Sequence, residues 1–188
     1  MVSLQIMVEP WIEYPEIWKS EAAYLSWIRG GIRRYLWSKN PVKLEFVKEA
    51  RKMITNPNVK LRKGRPKVWG GVCEICNKEH IMKNMEVDHK TGEHSLKKVS
   101  DIQKFVEGIV FVRKEDLAFL CKPCHKIKTL AERSGLTLGE ASIEKEAILI
   151  CKGSANDVKL WLTEAGIAPA RTVKERRAQV TEVLRGKV

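Results

Sequence analysis

Two cysteine pairs of identical internal spacing, Cys73–Cys76 and Cys121–Cys124, constrain this chain more than any other feature. Two residues between cysteines let a tight knuckle turn both thiolates toward one tetrahedral ion, at metal–sulfur distances of about 2.3 Å. Four sulfur ligands leave no open coordination position, so the site is structural rather than catalytic. Zinc suits it best, with iron in a four-sulfur site as the alternative. Gly70 and Gly71 are expected to give backbone freedom beside the first knuckle. Pro123 suits the first turn of a helix entered directly from the strand-like "LAFLC". The segment around these pairs is small and its strands short, so it buries little surface by itself. A structural zinc ion contributes about 10 kcal/mol or more to such folding. Cys151, in "AILIC", stands apart and reads as a core residue.

Charge narrows the partner. The 188 residues hold 35 Lys and Arg against 23 Asp and Glu, a formal net charge of +12. That excess points to a polyanion, nucleic acid ahead of a membrane surface. No apolar run approaches the roughly 18–20 residues that cross a bilayer, and "MVSLQIMVEPWIEYPE" lacks the pattern of a secretory signal. Cys-x-x-Cys pairs without such a signal read as metal ligands in a reducing compartment rather than as disulfides. The expectation is a soluble, cytoplasmic, basic metalloprotein.

Periodicity divides the chain. Residues 20–37 predict a helix capped by Ser20 that buries Tyr24, Trp27, Ile28, Ile32, Tyr35 and Leu36. Gly30 and Gly31 weaken it by about 1 kcal/mol each relative to Ala. A second helix is expected over about Lys43–Ile54. The stretch "TNPNVKLRKGRPKVWGG" then breaks the pattern and reads as a linker and phosphate-tracking arm. Short strands "EHIM" and "MEVDH" follow, then a long loop after His89 and a helix from about Ser100–Asp101. Thr137/Glu140 and Thr172/Glu175 have capping-box spacing and predict helices at about 138–150 and 173–185. Another helix is expected between Ala155 and Ala165, ended by Gly166. The resulting regions are N-terminal helical (1–58), basic linker (59–70), zinc-bearing core (71–136) and C-terminal helical (137–188).

With four cysteines claimed by zinc, the histidines are left for other work. On "KPCHKIKTLAER", His125, Lys128, Thr129 and Glu132 share one polar helical face, held in place by the neighbouring Cys124. Asp88-His89 closes the "MEVDH" strand. A carboxylate and two imidazoles in one polar cleft suit a divalent cation with one imidazole left over. Phosphodiester hydrolysis needs such a set, a base for water and a cation for the leaving oxygen. His80 and His94 read as structural or surface residues, with His94 close enough in sequence to His89 to contact DNA or the cation. Lys128 is either a solvated lysine or a phosphate contact.

The combination "CEIC…MEVDHK…EDLAFLCKPCHKIKT" resembles the zinc-stabilised HNH endonucleases, especially those of bacteriophages, over about residues 69–134. The resemblance implies an α+β chain with a zinc-bound ββα-metal nuclease core between N- and C-terminal helical regions. It implies His89 as general base, Asp88 and His125 as ligands of a catalytic Mg²⁺ or Mn²⁺, and 5′-phosphate and 3′-hydroxyl product ends. Asp116 occupies the middle motif position, where Asn is more usual, pinning the loop and orienting the base. The interval from His89 to Asp116 carries an inserted helix, and the Pro common after the Asp-His pair is missing.

Affinity for duplex DNA is expected from Arg29, Arg33 and Arg34, from Lys60, Arg62, Lys63, Arg65 and Lys67, and from Arg171, Lys174, Arg176 and Arg177. The tail "NDVKLWLTEAGIAPARTVKERRAQVTEVLRG" loosely resembles the SAP DNA-binding module, with Leu160, Trp161, Gly166, Ile167, Val180 and Leu184 as its apolar skeleton. The chain is expected to act as a monomer or a DNA-induced dimer, away from membranes. The alternative is a non-catalytic zinc-stabilised DNA-binding or phage packaging accessory protein.

Overall fold

The computed structural model divides into two compact units, Met1–Cys121 and Lys122–Val188, and describes residues 8–92 and 95–186. His94 therefore lies outside the described residues. The chain is mixed α+β, with small sheets in the first unit and helices in both.

The first unit opens with α1 (Pro10–Glu13) and α2 (Glu21–Gly31). The Ser20 hydroxyl accepts the Ala23 N–H at 3.2 Å, as a helix N-cap should. Beyond Gly30–Gly31 the helix does not break but widens into a π-helical turn, Ile32–Trp37. The wider turn shifts the buried stripe, which runs through Leu25, Ile28 and Ile32 to Trp37. Tyr35 and Leu36 are consequently exposed, as is Trp27, contrary to the helical spacing. Trp27 instead packs its ring 5.3 Å from Trp18 and 5.8 Å from Tyr24.

Asn40 caps α3 (Pro41–Ala50), accepting the N–H groups of Val42 and Lys43. The helix stops at Ala50, not Ile54, because the chain turns into β1 (Lys52–Thr55). This strand pairs antiparallel with β2 (Lys67–Val72), Ile54 opposite Val68, and β2 pairs with β3 (Glu79–Ile81). The stretch 59–70, expected to be a linker, is thus the tip and returning strand of a hairpin. Its lysines and arginines crowd the tip and mask the strand signal of Val68 and Trp69.

A 3-10 turn, Met82–Asn84, carries the chain into a second sheet. There β4 (Met85–His89) pairs antiparallel with β5 (Leu117–Cys121), His89 opposite Leu117 and Met85 opposite Cys121. Between them lies α4 (Ile102–Val110). Its Phe105 and Ile109 pack with Leu25 and Leu96, and Ile28, Ile32 and Trp37 surround that cluster. Asn40 adds a hydrogen bond from its carboxamide to the Val110 carbonyl, at 3.0 Å. The N-terminal helices, the hairpin and both sheets consequently fold as one unit rather than as three regions.

The second unit is helical: α5 (Lys122–Ser134), α6 (Leu138–Ile150), α7 (Ala155–Glu164) and α8 (Val173–Arg185). Both expected capping boxes form, and Ser154 with Asp157 makes a third. Gly166 adopts φ +78°, the left-handed conformation that ends α7. The core is Ala147, Val158, Leu162, Val180 and Leu184, with Cys151, Trp161 and Ile167 packed on it. Leu160 is exposed; Leu162, two positions on, takes the buried place assigned to it by sequence.

Gly70 and Gly71 serve space, not backbone freedom, for neither has positive φ. A Cβ on Gly70 would sit 2.5 Å from the His80 carbonyl oxygen, and one on Gly71 would sit 2.2 Å from Phe119 Cε1. Gly71→Ala should therefore lose about 1–3 kcal/mol by overpacking, read as a lower urea midpoint. Gly64→Ala, with nothing within 4 Å of its Cβ position, should leave the midpoint near the parent value.

Candidate metal centre

The knuckle Cys73–Lys78 is built by short-range bonding. Asn77 N–H donates to the Cys73 carbonyl at 2.8 Å and Cys73 N–H to the Lys78 carbonyl at 3.0 Å. Asn77 holds φ +54°, a left-handed turn that asparagine tolerates. Glu74 fastens the knuckle to β5 twice. Its N–H donates to the Phe119 carbonyl at 3.0 Å, and its carboxylate accepts the Phe119 N–H at 2.6 Å. Close packing of Gly71 on the same Phe119 ring completes the join.

Cys73, Cys76, Cys121 and Cys124 gather with all ligand atoms within 4.8 Å of one another. Four sulfurs at about 2.3 Å from a tetrahedral ion lie roughly 3.8 Å apart, and Cys76 and Cys121 are at 4.0 Å. That separation is far beyond a disulfide bond of about 2.05 Å. Burial raises the Cys73 thiol pKa, but N–H groups of Cys121, Cys76 and Ile75 and the Cys76 side chain outweigh it, bringing it down to about 7. Donors aimed at sulfur favour the thiolate, the form that binds metal. The four residues accordingly fit a zinc-like ion. His80, on β3, adds a partner that sequence spacing did not reveal. Its Nε2 lies 3.7 Å from Cys76 Sγ, within reach of an N–H···S bond.

Asp88 and His89 end β4, whose burial alternates along its length. Asp88 is half-buried, whereas His89 is only 7% exposed. The His89 imidazole stacks on the indole of Trp37, centroids 4.4 Å apart and planes 26° from parallel. Lys43 Nζ lies 4.6 Å over the Trp37 ring, and burial lowers its pKa. Nothing in the sequence pattern marked Trp37 as a neighbour of His89, since 51 residues and the first sheet separate them in the chain.

Asp116 is brought beside this pair. Lys90 N–H donates to the Asp116 carbonyl at 2.8 Å, and a charge on His89 would favour the carboxylate form of Asp116. Its closest partner is Arg113, which donates from Nε at 3.2 Å and from its backbone N–H at 3.0 Å. The Arg113 side-chain bond, then that backbone bond, hold the Asp116 carboxyl below its usual range. Asp116 thus holds its own turn.

His125 lies half-buried in the first turn of α5, and its carbonyl accepts the Thr129 hydroxyl at 2.9 Å. Lys128 is not a solvated lysine: it pairs with Glu132 one turn on, and its side chain is 12% exposed. Several expected DNA contacts are also committed internally. Arg29 donates to the Leu96 carbonyl. Arg176 is 5% exposed and donates to the carbonyls of Ala170 and Arg171 at 2.9 and 2.7 Å. Arg177 pairs with Glu144. Arg33, Arg34, Lys60, Arg62, Lys63, Arg65, Lys67, Arg171 and Lys174 lie on the surface.

No helix among the described residues is long and apolar enough to cross a membrane. No protein-family model, curated protein or solved structure matches the chain. Fold and site together define a mixed α+β protein with a four-cysteine centre able to hold an ion such as zinc.

The His80 contact has a measurable consequence. His80→Ala should weaken zinc binding about 10- to 100-fold in competition with a chromogenic chelator, with the four-cysteine stoichiometry of one ion per chain preserved.

Proposed function

We propose that this chain is a metal-dependent HNH-type endonuclease that hydrolyses phosphodiester bonds in duplex DNA. One observation carries the reading. The strand β4 ends on Asp88-His89, its partner β5 ends on Cys121, and the helix entered there bears His125 next to Cys124, within a chain whose four cysteines gather. This strand–strand–helix order is the one that the HNH resemblance implies.

In this reading His89 takes a proton from the attacking water. Trp37, stacked on the imidazole, fixes its plane, and the nearby Asp116 carboxylate favours the charged ring that results. Asp88 and His125 are half-buried oxygen and nitrogen donors, a set suited to Mg²⁺ or Mn²⁺. They would hold that cation, which supplies charge neutralisation at the departing 3′ oxygen. The products carry 5′-phosphate and 3′-hydroxyl ends. Lys128, paired with Glu132, is positioned one turn after His125 for a phosphate contact. Surface lysines and arginines, from Arg33 and Arg34 through the hairpin tip to Arg171 and Lys174, supply affinity for the backbone. The helix–connector–helix layout of α7 and α8 supports a SAP-like contribution to DNA binding from the second unit. One such centre per chain makes nicking of a single strand the simplest act; cutting both strands takes two copies or two events.

The burial of His89 beneath Trp37 favours the second reading, a zinc-stabilised DNA-binding protein without catalysis, such as a packaging accessory. Supercoiled plasmid with Mg²⁺ or Mn²⁺ separates the two. The enzyme yields nicked circles, and His89→Ala lowers the rate by about 10²–10⁴ while zinc and DNA binding are retained. Equal conversion by parent and His89→Ala would sink the catalytic assignment. His125→Ala should weaken the dependence on Mg²⁺ without releasing zinc; zinc loss would show that the two metal sites are wrongly partitioned.

A further inference from the structure

The β1–β2 hairpin joins three properties that the zinc centre does not require. Its tip, residues 56–66, is fixed by an unusually complete set of hydrogen bonds around Asn56, itself 5% exposed. Asn56 donates from its carboxamide to the Arg65 carbonyl at 2.9 Å and from its backbone N–H to the Pro66 carbonyl at 2.9 Å. Its side-chain oxygen accepts the Asn58 N–H at 3.0 Å, and its carbonyl accepts Arg62 Nε at 2.8 Å. Leu61, Arg62 and Arg65 then close successive tight turns by backbone bonds. Such a tip has little conformational freedom left to lose on binding.

Charge is the second property. From Ala50 to Cys73 the chain contains no acidic residue, while Lys60, Arg62, Lys63, Arg65 and Lys67 crowd the tip and its return. Third, the foremost turn, Val59–Leu61, presents two aliphatic side chains to solvent: Val59 is 70% exposed and Leu61 57%. A rigid loop gains nothing in stability from exposing Val and Leu. With Lys60 between them and Lys63 and Arg65 following, they have the form of an apolar wedge carried to a polyanion by its phosphate contacts.

We propose that this tip is a DNA wedge: Val59 and Leu61 enter the minor groove against a base step, partly unstack it and bend the duplex, while Lys60, Lys63 and Arg65 hold the flanking phosphates. The proposal rests on the duplex-binding part of the nuclease reading and not on its chemistry. It assigns the cations and the aliphatics different work. Cations set the salt dependence, about 0.9 in log–log slope for each phosphate contact. The aliphatics set the distortion, with affinity gained from burying their surface.

The test uses the full zinc-loaded chain without Mg²⁺ or Mn²⁺, so that no cleavage intervenes, and a short mixed-sequence duplex labelled at its two ends for energy transfer. The parent protein should bind and raise transfer as the ends approach. Val59→Ser combined with Leu61→Ser should weaken binding about tenfold, keep the salt slope, and leave transfer at the value for unbound DNA. Lys60→Ala combined with Lys63→Ala should lower the slope by nearly two and still bend the DNA that it binds. Bending by the doubly Ser-substituted chain equal to the parent's overturns the proposal. So does parent protein that leaves the duplex straight, or that prefers the separated strand or anionic phosphatidylserine vesicles. Bending without plasmid nicking would sink the nuclease reading alone, and nicking without bending would sink the wedge alone.

Discussion

The two sheets of the first unit are joined at the knuckle Cys73–Lys78 by its attachment to β5. Two bonds from Glu74 to Phe119, and contact between Gly71 and the Phe119 ring, lock the end of the first sheet onto the second. An ion on the four sulfurs would add a bond network to these contacts worth about 10 kcal/mol or more, on the scale of the whole stability of a small domain. The protein has prepared the ligands for this. N–H donors bring the Cys73 thiol to about 7 against the opposing effect of burial, so fewer protons must be displaced at neutral pH.

The candidate base depends on chain segments far from it in sequence. The helix between His89 and Asp116, which reads as an insertion, is held by Leu25 and Ile28 of α2 and by Ile32 of the π-helical turn. That packing carries Trp37 onto the His89 ring. Full burial of a Leu or Phe side chain contributes about 1.5–3 kcal/mol, so Leu25 and Phe105, each 1% exposed, firmly hold the frame in which the stack is made. The N-terminal helices are part of the environment of Asp88-His89, not an appended module.

What could be read in advance follows the range of the interactions responsible. Cysteine spacing foretold the four-sulfur cluster, because a knuckle is a local object with fixed geometry. Helix ends in the second unit were legible for the same reason: Thr137, Thr172 and Gly166 each act within one turn. The π-helical turn after Gly31 was not, since regular helical spacing carries no sign of it. Nor was the hairpin. The dense charge of 60–67 concealed a strand whose apolar partners, Met53 and Ile54, lie across the ladder rather than nearby in sequence. The Trp37–His89 contact is a product of tertiary folding, and no spacing rule reaches it; His80 is only four residues from Cys76, but a lone histidine beside a complete cysteine quartet carries no ligand pattern of its own.

Basic composition also overstates the surface available to a polyanion. Arg176 illustrates why. To offer its guanidinium to a phosphate it would have to leave two backbone carbonyls in the connector before α8. The buried guanidinium would lose two hydrogen bonds, each worth about 1 kcal/mol, whereas an exposed ion pair returns about 1 kcal/mol or less. The exchange is unfavourable, so the residue stays a structural clasp. The same reasoning discounts Arg29, tied to the Leu96 carbonyl, more than it discounts Arg177, whose partner Glu144 is a partly exposed carboxylate. Arg62 is committed in the same way, to the carbonyl of the buried Asn56, so among the hairpin cations Lys60, Lys63, Arg65 and Lys67 are the ones that the fold leaves for an external partner.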